Sequence, residues 1–203
     1  MKTLVKNIRA IDPALGLDEV CDILIDGDRI AEVGQDLSAD GAEILDRAGC
    51  IAVPGLVDIH VHLRDPGQEY KETIETGTAA AAHGGFTGIC SMPNTIPTTD
   101  NAATIDYVLD RARSAGHCRV YPSGACTMGL KGESLAEIGD MAAHGAVAFT
   151  DDGRGVQSAG MMRRVMDYAK MFNCVVMSHC QDEELVGPGQ VNEGVVSTRL
   201  GVA

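Results

Sequence analysis

From residue 55 onward the chain repeats one rhythm: a short apolar run ending in polar residues, a stretch with helical spacing, a glycine, then the next apolar run. Period-two alternation marks strands, and recurrence every three or four residues marks helices. Strands are predicted around Val57–His62, Thr87–Met92, Arg119–Ala125, Ala146–Thr150 and Val175–His179. Helices are predicted over Tyr70–His83, Ala102–Ala115, Ser134–His144 and Ser158–Phe172. In the last of these, Met162, Val165, Met166 and Ala169 form an apolar stripe that reads as core packing, with Ser158 a candidate N-cap. The first 54 residues follow a different, β-rich pattern. ILIDGDRIAEVG (23–34) reads as a hairpin turning at Asp26-Gly27, and EILDRAGCIAVPG (43–55) as one or two further short strands.

Regular β/α alternation implies a parallel sheet, either doubly wound or closed as a barrel. The polar residues favour the barrel. His60, His62 and Arg64 follow the first strand, Asn94 the second, Asp151 and Asp152 the fourth, and His179 the fifth. In a (β/α)8 barrel the C-terminal strand ends converge on one mouth, where active sites sit. A dinucleotide fold would instead place a glycine-rich phosphate turn after the first strand, and Asp65-Pro66-Gly67 is not one. The expected architecture is therefore α/β: part of a TIM-type barrel with about five βα units over residues 55–203, and a small β-sandwich segment over residues 1–54.

Composition narrows the function. A net charge of −13 argues against nucleic acid, which needs a basic face. A small anionic substrate stays possible, since one arginine can serve it. No stretch approaches the length of a membrane span, and the N-terminus lacks a signal-like apolar run. Seven cysteines without a C-x-x-C pair read as free thiols in a reducing, cytoplasmic compartment.

The six histidines separate by position. His83, His117 and His144 lie beside glycines at helix ends or in αβ loops, on the face opposite the mouth, where a structural role is expected. His60 and His62, two residues apart on one strand, put both rings on one face roughly 6.5–7 Å apart along the backbone. With His179 and the Asp151-Asp152 pair at neighbouring strand ends, they suggest a metal site, and imidazole with carboxylate suits zinc. One carboxylate can bridge two ions about 3.5–4 Å apart. Alternation forbids both aspartates from pointing inward, and the pattern does not choose between them. Arg64 is read as an anion clamp, or as an ion-pair partner of Asp65 or Glu69.

His60-Val61-His62-Leu63-Arg64-Asp65-Pro66-Gly67 resembles the H-x-H-x-R-[DE]-P-G signature of cyclic amidohydrolases. With YKETIETGTAAAAHGGFTGICSMPNT (70–95), FTDDG (149–153) and SHCQD (178–182) in this order, the chain is similar to class I dihydroorotases along nearly all its length. The resemblance implies reversible ring closure of N-carbamoyl-L-aspartate to L-dihydroorotate at a site holding one or two Zn2+ ions. It implies His60, His62, Asp152 and His179 as metal ligands, with Asp152 the bridge, and His62, Arg64 and Asn94 as substrate-binding residues. A divalent ion would make water a usable nucleophile near neutral pH and polarise the ring amide. Hydantoinases and allantoinases resemble the chain at the first strand. A hydantoinase site would carry a lysine near position 151, where this chain has none.

Members of this family are longer. The resemblance places a further zinc-binding histidine, a substrate-binding asparagine and the general acid/base aspartate beyond residue 203. A truncated product is therefore expected, with unpaired outer strands and little activity alone. Asp151 is a weak candidate for proton delivery. A non-catalytic partner of aspartate transcarbamoylase is the competing reading, opposed by the retained candidate ligands. A homo-oligomer or a transcarbamoylase complex is a further expectation.

Overall fold

The computed structural model describes residues 2–202, and the chain divides into two compact units, with the break after Gly55. The first unit is a single mixed sheet in the order β3-β2-β1-β4, with β5 also paired to β1. Its strands are β1 (Lys2–Asp12), β2 (Leu17–Asp26), β3 (Arg29–Gly34), β4 (Ala42–Asp46) and β5 (Ile51–Ala52). The predicted hairpin is β2–β3, but Asp26 pairs with Arg29, so the turn centres on Gly27-Asp28 with Gly27 at φ +63°. The central strand, β1, was not singled out by pattern. Its register shifts between Val5 and Ile8, where Asn7 takes φ +59°. The bulge is held by the buried Asp22, which accepts from Asn7 N (3.0 Å) and Leu37 N (3.2 Å) and pairs with Lys6 (3.6 Å). Leu4, Ile8, Ala10 and Cys21 are buried, whereas Leu15, Ile30 and Val53 are exposed.

The second unit is a parallel sheet in the order β10-β9-β8-β7-β6, with β6 (Leu56–Val61), β7 (Phe86–Ser91), β8 (Arg119–Gly124), β9 (Ala148–Phe149) and β10 (Val175–Val176). Strand order that follows chain order is the barrel's signature; a doubly wound sheet reverses at a switch point. Between the strands lie α1 (Ile74–His83), α2 (Ala102–Ala115), α3 (Ile138–Ala143) and α4 (Ala159–Lys170), followed by the short α5 (Glu183–Val186) and α6 (Val195–Leu200). Thr73, Asn101 and Ser158 cap α1, α2 and α4 through their side chains. One core joins Ile105, Ile138, Met141, Phe149, Met161, Val165 and Ala169; a second joins Leu63, Ile74, Ile89, Val108 and Val120.

Several expectations shift. Helix α3 starts four residues later than the pattern suggests, because residues 134–136 pair with the loop after β8. Met128 N donates to the Ser134 carbonyl and Ala136 N to that of Cys126. On α4 the buried stripe is Met161, Val165 and Ala169, and Met166 is exposed. Along β6 and just past it the apolar parity is only partly covered: Leu63, beyond the strand, is buried, but Val57 and Ile59 on it are exposed. β6 lies at the sheet edge, paired only with β7 among the described residues. All seven cysteines are free thiols, and no helix among the described residues is long and apolar enough to cross a membrane.

His83 ends α1 and His144 follows α3, as their glycine neighbours suggest. His144 Nδ1 lies 3.0 Å from both carboxylate oxygens of Asp106. That hydrogen bond and the Asp106 charge raise the His144 pKa above its ordinary value. The pair therefore contributes fully below the unfolded histidine pKa, and its contribution is lost as pH rises through the raised folded value. Thermal melts from acid to mildly alkaline pH are expected to show this loss in the native chain, and Asp106→Asn to remove it.

Candidate metal centre

The cluster begins at the end of β6, where His60 lies on the strand and His62 one residue past it; their ring centroids are 5.3 Å apart. Asp152 follows β9 and presents its carboxylate to both rings. Oδ1 lies 3.4 Å from His60 Nε2, and Oδ2 lies 3.4 Å from His62 Nε2. His60, His62 and Asp152 place one ligand atom each within 4.8 Å of one another. His179, after β10, also faces this carboxylate, with Nδ1 3.6 Å from Asp152 Oδ1. Residues separated by up to 119 positions thus meet around one buried carboxylate, while the imidazoles keep 31–50% of their side-chain surface exposed.

The spacing tests whether a metal fits. Charge-assisted N–H···O hydrogen bonds close to about 2.7–2.9 Å. Ligands on a tetrahedral zinc with arms of ~2.0–2.1 Å sit about 3.3–3.4 Å apart. The three imidazole–carboxylate separations of 3.4, 3.4 and 3.6 Å match the second distance better than the first. The donor set, imidazole nitrogen with carboxylate oxygen, suits a borderline divalent ion. Burial, and next the Arg64 charge, lower the His62 pKa, which favours the neutral ring that a metal requires.

The adjacent aspartates divide as alternation requires. Asp151 points away from the histidines and is buried. Its Oδ1 accepts from Cys126 N (2.8 Å) and Thr127 N (3.0 Å), and its Oδ2 accepts from the Thr127 hydroxyl. Burial raises its pKa, partly opposed by these hydrogen bonds. With both oxygens engaged beneath the site, Asp151 is no proton donor to a ligand there; it ties the loop after β8 to the end of β9.

Asn94, beyond β7, touches two members of the cluster. Its Oδ1 lies 3.0 Å from His62 Nδ1, and its Nδ2 donates to Asp152 Oδ2 at 2.9 Å. Arg64 takes φ +57°, and among the described residues its Nη1 reaches only the Asn94 carbonyl, at 3.5 Å. Neither Asp65 nor Glu69 is its partner in an ion pair. Asp65 instead accepts from Tyr107 Oη (2.8 Å) and Ile74 N (3.3 Å) and lies 3.8 Å from Arg111 Nε. Glu69 accepts from Gly67 N at 2.7 Å. Gly67, at φ +92°, has to be glycine because a Cβ there would run into the Ile96 carbonyl. The loop is thereby anchored from α1 and α2. Tyr107 and Arg111 were missed by pattern: their helical spacing looks like any solvent face, and their partner is 42 and 46 positions away in sequence.

A shallow cavity of about 310 Å3 adjoins the cluster, lined by Asn94, Thr95, Thr98, Leu130, Asp152 and Arg154. Its mouth position and its one buried carboxylate suit a small polar ligand.

Known proteins share this arrangement of sequence and fold. The chain is 57% identical over 202 residues to a protein named dihydroorotase from Syntrophotalea carbinolica, and 52% identical over 203 residues to one from Geobacter sulfurreducens. Each match takes in the whole chain and 48% of the relative, so the chain spans about half the length of these curated relatives. Among solved structures, an L-hydantoinase (dihydropyrimidinase) from Arthrobacter aurescens superposes with a TM-score of 0.79 at 26% identity, over 91% of this chain and 42% of the other. A D-hydantoinase from Thermus sp. gives 0.69 at 27%, over 91% and 41%. The family described as dihydro-orotase-like matches residues 49–203, which include every residue of the cluster, and the chain belongs to that family.

Proposed function

We propose that the cluster is a zinc centre serving the reversible ring closure of N-carbamoyl-L-aspartate to L-dihydroorotate, with His60, His62, Asp152 and His179 as ligands. The observation that carries this reading is the Asp152 carboxylate, faced by three imidazoles at 3.4–3.6 Å. A bound divalent ion supplies Lewis acidity, activating water and polarising the amide carbonyl. The chain's own residues hold and orient. Asp152 gathers the imidazoles, and burial, with the Arg64 charge next, lowers the His62 pKa and so favours its neutral ring. Arg64 offers a planar two-point donor to the substrate carboxylate beside Asn94 and His62. The domain division at residues 54–55 belongs to this reading, with the barrel unit carrying the chemistry.

An aspartate at position 152 favours dihydroorotase over hydantoinase, which the resemblance associates with a lysine bridge. The test is binding of N-carbamoyl-L-aspartate to the zinc-loaded chain. Arg64→Met is expected to weaken it roughly 10–100-fold, since hydrogen bonds to charged groups contribute about 1.5–3 kcal/mol. Hydantoin binding with equal affinity, or no effect of Arg64→Met, would contradict the assignment.

A further inference from the structure

We propose that Asn94 is a positioning residue for the metal centre, setting which nitrogen of the His62 imidazole carries the proton. The inference rests on the reading of the cluster as a metal site and follows from an inventory of donors and acceptors. An ionised carboxylate only accepts, so the Asn94 atom 2.9 Å from Asp152 Oδ2 is the amide NH2. The other amide atom, 3.0 Å from His62 Nδ1, is then the carbonyl oxygen, which also only accepts. His62 Nδ1 must therefore carry the hydrogen. In the neutral ring this leaves the lone pair on Nε2, the atom that faces Asp152 at 3.4 Å. One acidic side chain thus dictates, through one amide, the tautomer of the imidazole across from it.

His62 is distinguished here from its neighbours. Among the described residues, no hydrogen bond engages the ring of His60 or His179, so neither tautomer is set in this way. The segment carrying Asn94 is itself well held. Met92 N donates to the Val61 carbonyl at 2.9 Å, and the Thr95 and Thr99 hydroxyls, both buried, lie 2.9 Å apart. Outer partners of this kind orient a ligand and tune its basicity. The NH2 group has two hydrogens, and Asp152 takes one. The second remains for a substrate carboxylate, so positioning and substrate binding can coexist in one side chain.

The test uses the metal-free chain with 15N-labelled histidine, at a pH where the imidazoles are neutral. Long-range 1H–15N correlation reads each tautomer, and His62→Gln assigns the His62 signals. His62 is expected as the Nδ1–H form alone. Asn94→Ala is expected to shift it towards the Nε2–H form and to weaken zinc binding, read by chelator competition, roughly 10–100-fold. A wild-type His62 in the Nε2–H form overturns the inference without any variant. So does an Asn94→Ala chain with unchanged tautomer and zinc affinity. Failure of the wild-type chain to take up zinc overturns instead the reading of the site, and the metal-free spectra keep the two failures distinct.

Discussion

Replacing Asp152 by alanine is expected to abolish divalent-metal binding while leaving the fold in place. The carboxylate is the one group that all three imidazoles approach, at 3.4–3.6 Å, and its hydrogen bond from a protein donor comes from Asn94. Removing it takes a ligand from the centre, so affinity falls by more than the ~10–100-fold typical of outer partners. Stability changes little, because the imidazoles left behind are 31–50% exposed and stay solvated. Zinc supplied at about 100 times its Kd stabilises a binding-competent chain by ~2.7 kcal/mol. Melting with and without zinc therefore separates the proteins: the wild type shifts upward, and Asp152→Ala does not. A zinc-induced shift of wild-type size in the variant would remove Asp152 from the centre.

The neighbouring substitution has the opposite character. Asp151→Ala strands the buried Cys126 and Thr127 amides, which both donate to Oδ1. Two unsatisfied groups at ~1–3 kcal/mol each predict a loss of about 2–6 kcal/mol. That is a large part of the ~5–15 kcal/mol that keeps a domain folded. Asp151→Asn keeps Oδ1 as acceptor for both amides and gives up only the hydrogen bond from the Thr127 hydroxyl, whose oxygen already accepts from Gly132 N. It also removes a charge that burial disfavours. It is expected to cost about 1–3 kcal/mol, less than Asp151→Ala. Urea unfolding decides between them; equal losses in the two variants would show that charge, rather than satisfaction of the amides, matters at this position.

This contrast also shows what the pattern of residues could reveal. Alternation placed His60 and His62 on one face and forbade Asp151 and Asp152 from sharing a direction. It could not say which aspartate faces the histidines, because β9 is only Ala148–Phe149 and the chain has already left the strand at Asp151. Helix α2 was legible from end to end, since Asn101 caps it and Gly116 follows it. Helix α3 was not, because residues 134–136 find backbone partners in the loop after β8, which local propensity does not register. Strand β1 was hidden by its bulge, which breaks the period at Lys6-Asn7. The Asn94 bridge and the Tyr107–Asp65 contact join residues 32 to 58 positions apart, and both depend on tertiary distance. What the residue types supplied was the chemistry expected at each strand end; what folding supplied was the partner.

His60, His62 and Asp152, with His179 beside them, are expected to form a single divalent-metal centre. Anomalous diffraction at the zinc edge from crystals grown with zinc tests it most directly. An anomalous peak is expected in contact with Asp152 and with the Nε2 atoms of His60 and His62. A chain that takes up no zinc, or whose zinc sits only on cysteine thiols away from Asp152, would contradict it.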